Sequence, residues 1–505
     1  MLSRWIGLWT LLLAGVGIGL AGVPDDTPQT RVLHEVWFER RTPAGKIGWF
    51  HQRSVEEDRH GTTLIRTTQR EATKYLRSGD PYTEEDSAWS LERTDGSIVE
   101  LGYRTSLGKS QHLHVRGVPQ GDRIRLHVLD NDGKTTLFSL EKPWDPATLG
   151  LYAQERYLEG RRLEPGASFS YIAFQTTLNR CVRTTYTIVG PKATQLRGVE
   201  RELIQVRQTW EKDLYFDPST VWLDPLTGRM VKSEDESTTF GRVMQEVVPA
   251  AVALADFDGN VRDIEAPIAI DQPLNLRRGP PKELRVRVEH SSDDDLATLF
   301  PQDGRQKVLG TQNGGVELRL LAKADSEAEP PAQLDKPGPE YLESNFYIRS
   351  DHPDVLRRLK EAVGDATGGR RQMRLIRQWV RRNVKGDYEV PFATADEVAR
   401  TLEGDCTEMG VLTAALGRAA GIPTRVAFGL VYDPENPGFG GHLWTEAYVD
   451  GRWEIFDATG VVPLLGAAFI KIGDYSMKDM LNPDEAAAVR RAFAGRMKVF
   501  VLEAR

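Results

Sequence analysis

At 505 residues the chain is too long for one ordinary core, so two or three domains are expected. Hydrophobic residues at 40% and charged residues at 27% exclude wholesale disorder, and a formal net charge of −8 gives no support to nucleic acid as a partner. The N-terminus reads "MLSRWIGLWTLLLAGVGIGLAGVPDD". Arg4 supplies a positive start, Trp5 to Leu20 an apolar run, and Gly19-Leu20-Ala21 a small-x-small cleavage pattern. Residues 1–21 therefore read as a secretory signal peptide, and the expected location is the periplasm or the extracellular space. The apolar run is nearly long enough to span a bilayer, so its retention would give a membrane anchor instead.

Residues 30–247 are repetitively β. Short alternating stretches such as "TTLIRTTQ", "SIVELGYRT", "RIRLHVLD" and "TTLFSLE" are separated by the turn pairs Ala44-Gly45, Asp95-Gly96, Asp132-Gly133 and Thr227-Gly228. Each strand has one polar face, which predicts an antiparallel sheet or open barrel with one wet side. "DFDGN" at Asp256 is superficially like a calcium loop, but its glycine comes too early and no ligand glutamate follows, so it reads as a tight turn. Residues 248–322 form a smaller β module whose clearest strands are "ELRVRVEH" and "GVELRLLAK". The stretch 323–340, "KADSEAEPPAQLDKPGPE", combines proline, glycine and charge as a linker would.

The texture then changes to mixed α and β across residues 341–480. "DHPDVLRRLKEAVG" and "RRQMRLIRQWVRRNV" read as helices, the second with Met373, Ile376, Val380 and Val384 as its apolar stripe. Its arginines take the remaining faces as a solvated surface. A third helix runs from Cys406 to Ala420, with Met409, Leu412, Leu416 and Ala419 as its stripe and Gly421 and Pro423 ending it. "TRVAFGLVY" follows as a strand and "HLWTEAYVDGRWEIFDAT" as a hairpin. Residues 481–505 supply a last helix, capped by Asn482 with Pro483 at its first position, and a final strand "KVFVLEA".

Only two cysteines are present, Cys181 and Cys406, so one disulfide is possible, and it would have to join two separate domains. Cys181, in "NRCVRTTY", reads as a space-filling residue of a sheet. Cys406 differs. Asp405 is a good N-cap and Glu408 stands three residues later, an aspartate version of the capping box. Cys406 then occupies the first helical position, where unpaired N–H groups and the macrodipole favour the nucleophilic thiolate.

A nucleophile needs a base and a group that orients the base. In the hairpin, Asp450-Gly451 is a two-residue turn, so Val449 pairs with Arg452, Tyr448 with Trp453, Glu446 with Ile455 and Trp444 with Asp457. His442, two residues beyond Trp444, becomes the diagonal cross-strand neighbour of Asp457. Glu446 shares that face and could pair with Arg425 or Arg452, or hold the His-bearing strand. Trp444 and Tyr448 read as packing. A metal site built from Cys406, His442 and Asp457 is a poor zinc pattern, because no second Cys or His stands at short spacing.

"GDCTEMGVLTAALGRAAGIPTRVAFGLVY" followed by "GHLWTEAYVDGRWEIFDAT" resembles the core of the transglutaminase-like superfamily, a branch of the papain-like thiol enzymes, in its bacterial exported form. The resemblance covers about Tyr341 to Asp474. It implies an α+β papain-like core domain after the mainly antiparallel β region, with Cys406 as nucleophile, His442 as general base and acid, and Asp457 orienting the imidazole. It implies no cofactor and no metal. The chemistry implied is acyl transfer from an amide of a peptide or protein substrate through a thioester, with hydrolysis expected over cross-linking. The Cys406 N–H is a natural oxyanion donor. The animal members' upstream tryptophan finds only Trp379 here, which reads as helix core. The rival expectation is a catalytically silent envelope scaffold whose β region binds a polymer or a partner protein. No oligomeric state follows from these residues.

Overall fold

A computed structural model describes residues 31–505 other than 60, 78–79, 108–110, 177, 212–217, 238–240, 258–267, 291–295, 313, 324–336, 388–391 and 479–496. The expected signal peptide, most of the linker and the helix capped by Asn482 lie outside the described residues. The first feature is a fourteen-stranded antiparallel sheet. Eight strands, from Arg31–Thr42 to Thr136–Pro143, make one meander, and six more, from Ser168–Gln175 to Gly241–Val247, make a second. The two meanders join where Phe38 pairs with Val247.

The sequence alternation that predicts these strands also sets their faces. In Arg123–Leu129 the residues Ile124, Leu126 and Val128 are at most 1% exposed, while Arg123, Arg125 and His127 alternate with them. The sheet also curls. Isolated bridges from Thr148 to Ile172 and from Leu149 to Ser97 tie an edge strand to a region ten strands away in the ladder. The sheet is thus bent toward a barrel rather than flat.

The last four strands of the first meander do not face solvent on their apolar side. Leu101, Tyr103, Leu113, Val115, Ile124, Leu126 and Val128 share one core cluster with Phe346, Tyr347 and Ile348 and with the helices that follow. Phe138 lies against Phe346, with ring centroids 6.0 Å apart. The sheet and the C-terminal half are therefore joined by apolar packing as well as by chain.

In that C-terminal half four helices, Pro353–Val363, Gly369–Asn383, Ala395–Thr401 and Cys406–Ala419, pack beside a five-stranded sheet. Its main strands run in the order Ile268–Ala269, Gly438–Val449, Thr424–Asp433, Phe469–Tyr475, and Arg452–Ile455 adds to Gly438–Val449. The stripe Met373, Ile376, Val380 and Val384 is buried as its spacing requires. The helix from Cys406 differs from the amphipathic expectation. Its residues from Gly410 to Arg418 are all buried, because three helices cover one side and the strand Gly438–Val449 covers the other.

A four-stranded antiparallel sheet completes the structure. Its order is Gln306–Gln312, Gly315–Leu321, Glu283–His290 and Met497–Ala504, so the last strand of the chain pairs with one more than 200 residues earlier. The strand Gln306–Gln312 has no counterpart in the sequence reading, because its glycine-interrupted "QKVLGTQ" lacks clean alternation. The four-stranded sheet shares a second core cluster with the five-stranded one through Leu284, Val286, Leu318, Leu430 and Ile470.

Candidate active site

Cys406 is the first residue of its helix, and the capping box predicted from Asp405 and Glu408 is present in full. The Asp405 carboxylate accepts from Thr407 N at 2.8 Å, and Glu408 Oε2 accepts from Asp405 N at 3.0 Å. The other oxygen of Glu408 accepts from Ala393 N at 2.9 Å, a contact local sequence does not announce. Glu408 is completely buried, and burial beside the Asp405 carboxylate holds its carboxyl well above the usual range.

The helix is pressed against the strand that carries His442. Thr445 Oγ1 donates to Gly410 O at 2.7 Å. A Cβ at Gly410 would lie 2.2 Å from Leu443 Cδ2, so glycine is what allows this approach. Thr424 Oγ1 donates to Ala414 O at 2.7 Å and anchors the neighbouring strand one turn further on.

The hairpin register follows the expectation as far as the ladder runs: Val449 faces Arg452, Tyr448 faces Trp453 and Glu446 faces Ile455. Asp457, however, lies beyond the last paired residue and faces His442 from a turn. Its Oδ1 accepts from Thr459 N at 3.0 Å and from Thr459 Oγ1 at 2.7 Å, and its Oδ2 accepts from Val462 N at 2.9 Å. Those bonds fix the carboxylate where His442 Nε2 stands 3.5 Å from Oδ1. Burial pushes against ionisation of Asp457, but His442, the Thr459 hydroxyl and the Val462 N–H hold it below the usual carboxylate range.

His442 is the meeting point. Burial disfavours its charged form, yet hydrogen bonds to Asp457 and to Cys406, together with their charges, raise the ring to about 10. Cys406, His442 and Asp457 are thus brought together in space. Thr459 is the residue that the sequence reading missed. Its Oγ1 is 3.3 Å from His442 Nε2 and gives its own hydrogen to Asp457, so it accepts from the ring. The available signal was a threonine two residues after an aspartate, which favours a side-chain-to-backbone turn.

Behind the imidazole lies a buried ionic cluster. The Trp444 ring is stacked on His442 with centroids 6.2 Å apart, and its Nε1–H donates to Glu446 Oε1 at 3.3 Å. Glu446 Oε2 accepts from Arg425 Nε at 2.8 Å and from Lys471 Nζ at 2.9 Å, so Arg425 rather than Arg452 is its partner. Arg452 pairs with Glu454. Asp474 closes the cluster, 2.8 Å from Arg425 and 2.7 Å from Lys471. Although burial opposes its charge, Lys471 and Arg425 hold Glu446 down at about 2. Asp303 adds a third carboxylate, 3.4 Å from Lys471, so each of the two buried bases is paired with more than one acid, as a low-dielectric site requires.

The other sequence candidates fall elsewhere. Trp379 is half-buried on its helix, with the Arg358 guanidinium 5.7 Å above the ring. Cys181 sits in a strand of the large sheet, where its Sγ accepts from Thr148 Oγ1 at 3.2 Å, and both cysteines are free thiols. Among the described residues no group of three or more His, Cys, Asp or Glu side chains is arranged to hold a metal.

Residues 357–458 match the transglutaminase-like superfamily, and this stretch is a transglutaminase-like domain. An uncharacterised protein of Haemophilus influenzae is 30% identical over 97 residues, which are 18% of this chain and 26% of the relative; the chain thus spans about a quarter of that relative's length. Among solved structures, a provisionally assigned cysteine protease of Cytophaga hutchinsonii is 19% identical, with 45% of this chain and 88% of that one covered and a TM-score of 0.28. A β-barrel-like protein of a domain of unknown function from Brucella abortus is 10% identical, with coverages of 42% and 94% and a TM-score of 0.32.

Proposed function

We propose that the chain is an exported cysteine acyl-transfer enzyme that acts on amide bonds of a peptide or protein and hydrolyses them in preference to cross-linking. The observation that carries this reading is His442, buried between the Asp457 carboxylate and the Cys406 sulfur and charged through both. In this mechanism the Cys406 sulfur attacks the amide carbonyl, and the imidazolium gives its proton to the leaving amine, leaving a thioester. His442, now neutral, takes a proton from water as the water attacks the thioester, which releases the acid and restores the thiolate–imidazolium pair. Asp457 and Thr459 hold Nε2, which keeps the other ring nitrogen for the sulfur, and the Cys406 N–H at the helix start serves as the oxyanion donor. Water is the favoured acceptor because it is abundant at the site of an exported enzyme. The location outside the cytoplasm rests on the N-terminal segment alone.

The test is turnover of a mixed peptide library, with and without a primary amine, followed by mass spectrometry. Cleavage that is lost in Cys406→Ala supports the proposal. Amine incorporation without cleavage would redirect it to cross-linking, and no Cys406-dependent product of either kind would favour the silent scaffold.

A further inference from the structure

The fourteen-stranded sheet reaches the nucleophile by a short polar route. Leu107, just after strand Ile98–Ser106, and Gln111, just before strand His112–Gln120, are joined by a bond from Leu107 N to Gln111 O at 2.8 Å. These two residues grip the chain just ahead of the helix Ala395–Thr401. Leu107 O accepts from Phe392 N at 3.0 Å. The Gln111 side chain does more, since its Nε2 donates to Thr394 Oγ1 at 2.7 Å and its Oε1 accepts from Thr394 N at 3.0 Å. Thr394 Oγ1 spends its own hydrogen on Asp396 at 2.7 Å, so only a donor such as the Gln111 amide can satisfy its remaining lone pair.

The residue between these two gripped positions is Ala393, whose N–H binds Glu408 Oε1. Glu408 Oε2 in turn takes the Asp405 N–H, one residue before the sulfur. Both oxygens of this buried acid are therefore committed, one to each side, and its place depends on the 392–394 segment as much as on its own helix. Gly404 makes room for it: a Cβ there would lie 2.2 Å from Glu408 Cβ, and its φ of +148° suits glycine.

The geometry points to Gln111 as a positioning residue for the Cys406 nucleophile, acting from the N-terminal sheet through Thr394, Ala393 and Glu408. A group that merely glued sheet to domain would need apolar contact, which Phe138 and Phe346 already supply. Gln111 adds a directional clamp at the residue next to the helix cap. The inference rests on the reading of Cys406 as the nucleophile, so its test has one arm that is independent of reactivity.

The experiment compares full-length wild type with Gln111→Ala, Gln111→Glu and Thr394→Ser. Hydrogen exchange is followed in peptides covering 392–394 and 405–409, and Cys406 alkylation by iodoacetamide is followed across pH, both well below the unfolding temperature. Loss of both Gln111 bonds should speed exchange in both peptides and slow alkylation by about five- to tenfold. Gln111→Glu keeps the acceptor for Thr394 N but loses the donor, so it should fall between. Thr394→Ser keeps the hydroxyl and should stay within about twofold of wild type. Faster exchange confined to 392–394, or unchanged alkylation of Gln111→Ala against a reactive wild type, overturns the positioning role. A wild-type sulfur no more reactive than a free thiol overturns the enzymatic reading instead, while the exchange data still decide whether Gln111 orders the helix start.

Discussion

Burial alone would strip the proton from His442, and the ring keeps it because two partners of opposite polarity hold it in place. The consequence is a defined pH dependence. The folded ring titrates near 10, above the 6.5 of an unperturbed imidazole. Its contribution to stability is therefore fully present below pH 6.5 and is lost as pH rises through about 10. Asp457 works at the other end: its folded value lies below 3.8, so its contribution is present above that and is lost as pH falls further. Urea unfolding of wild type and His442→Gln over pH 6 to 10 should show a stability gap that narrows with rising pH. A gap that stays constant across that range contradicts the paired imidazolium. Thr459→Val tests the missed residue. Loss of the hydroxyl removes one hydrogen bond to the ring and one to Asp457 and should cut turnover by about tenfold or more, with little change in fold. Turnover equal to wild type would reduce Thr459 to a turn residue.

Among the elements, the helix that starts at Cys406 and the strand that carries His442 were legible beforehand for different reasons. The helix start was readable because capping is local: Asp405, Cys406 and Glu408 lie within four residues. The hairpin was readable because a two-residue turn fixes register, so counting outward places Glu446 opposite Ile455. The count failed one step later, because Asp457 is captured by the turn bonds of Thr459 and Val462 and leaves the ladder. The buried cluster behind the strand was half legible. Arg425 could be named as a partner of Glu446, but Lys471 comes from a strand that no local pattern paired with Gly429. Removing one member should be costly. Glu446→Ala leaves Arg425 and Lys471 buried with Asp474 and, for Lys471, the more distant Asp303 as their remaining carboxylates, and a loss of about 3–5 kcal/mol in denaturant unfolding is expected. The same position shows why glycine is required at residue 429, directly across from His442: a Cβ there would lie 2.0 Å from Ile470 O. Gly429→Ala should cost about 1–3 kcal/mol and disturb the His442 strand, measured as a drop in both stability and Cys406 reactivity.

For the whole molecule, the main finding is a shared core. The apolar face of four sheet strands packs on Phe346, Tyr347 and Ile348, so the sheet has an apolar partner along that stretch of the C-terminal half. That contact was invisible in the sequence, where the alternation of Ile124, Leu126 and Val128 shows that a face is buried but not against what. The pairing of Met497–Ala504 with Glu283–His290 was hidden for the same reason, since contacts across two hundred residues leave no periodic trace. Ile348 is fully buried in this core, and Ile348→Ala should cost about 2–5 kcal/mol. Its effect should appear in unfolding signals from both the large sheet and the helices; loss seen by one alone would mean that the two unfold independently.

The measurement that bears most directly on the account is the rate of iodoacetamide alkylation of Cys406 as a function of pH, in wild type and in His442→Ala. The thiolate–imidazolium pair predicts labelling near neutral pH faster than that of a free thiol, with the advantage lost when the ring is removed. Alkylation at the free-thiol rate in wild type, unchanged in His442→Ala, would contradict it.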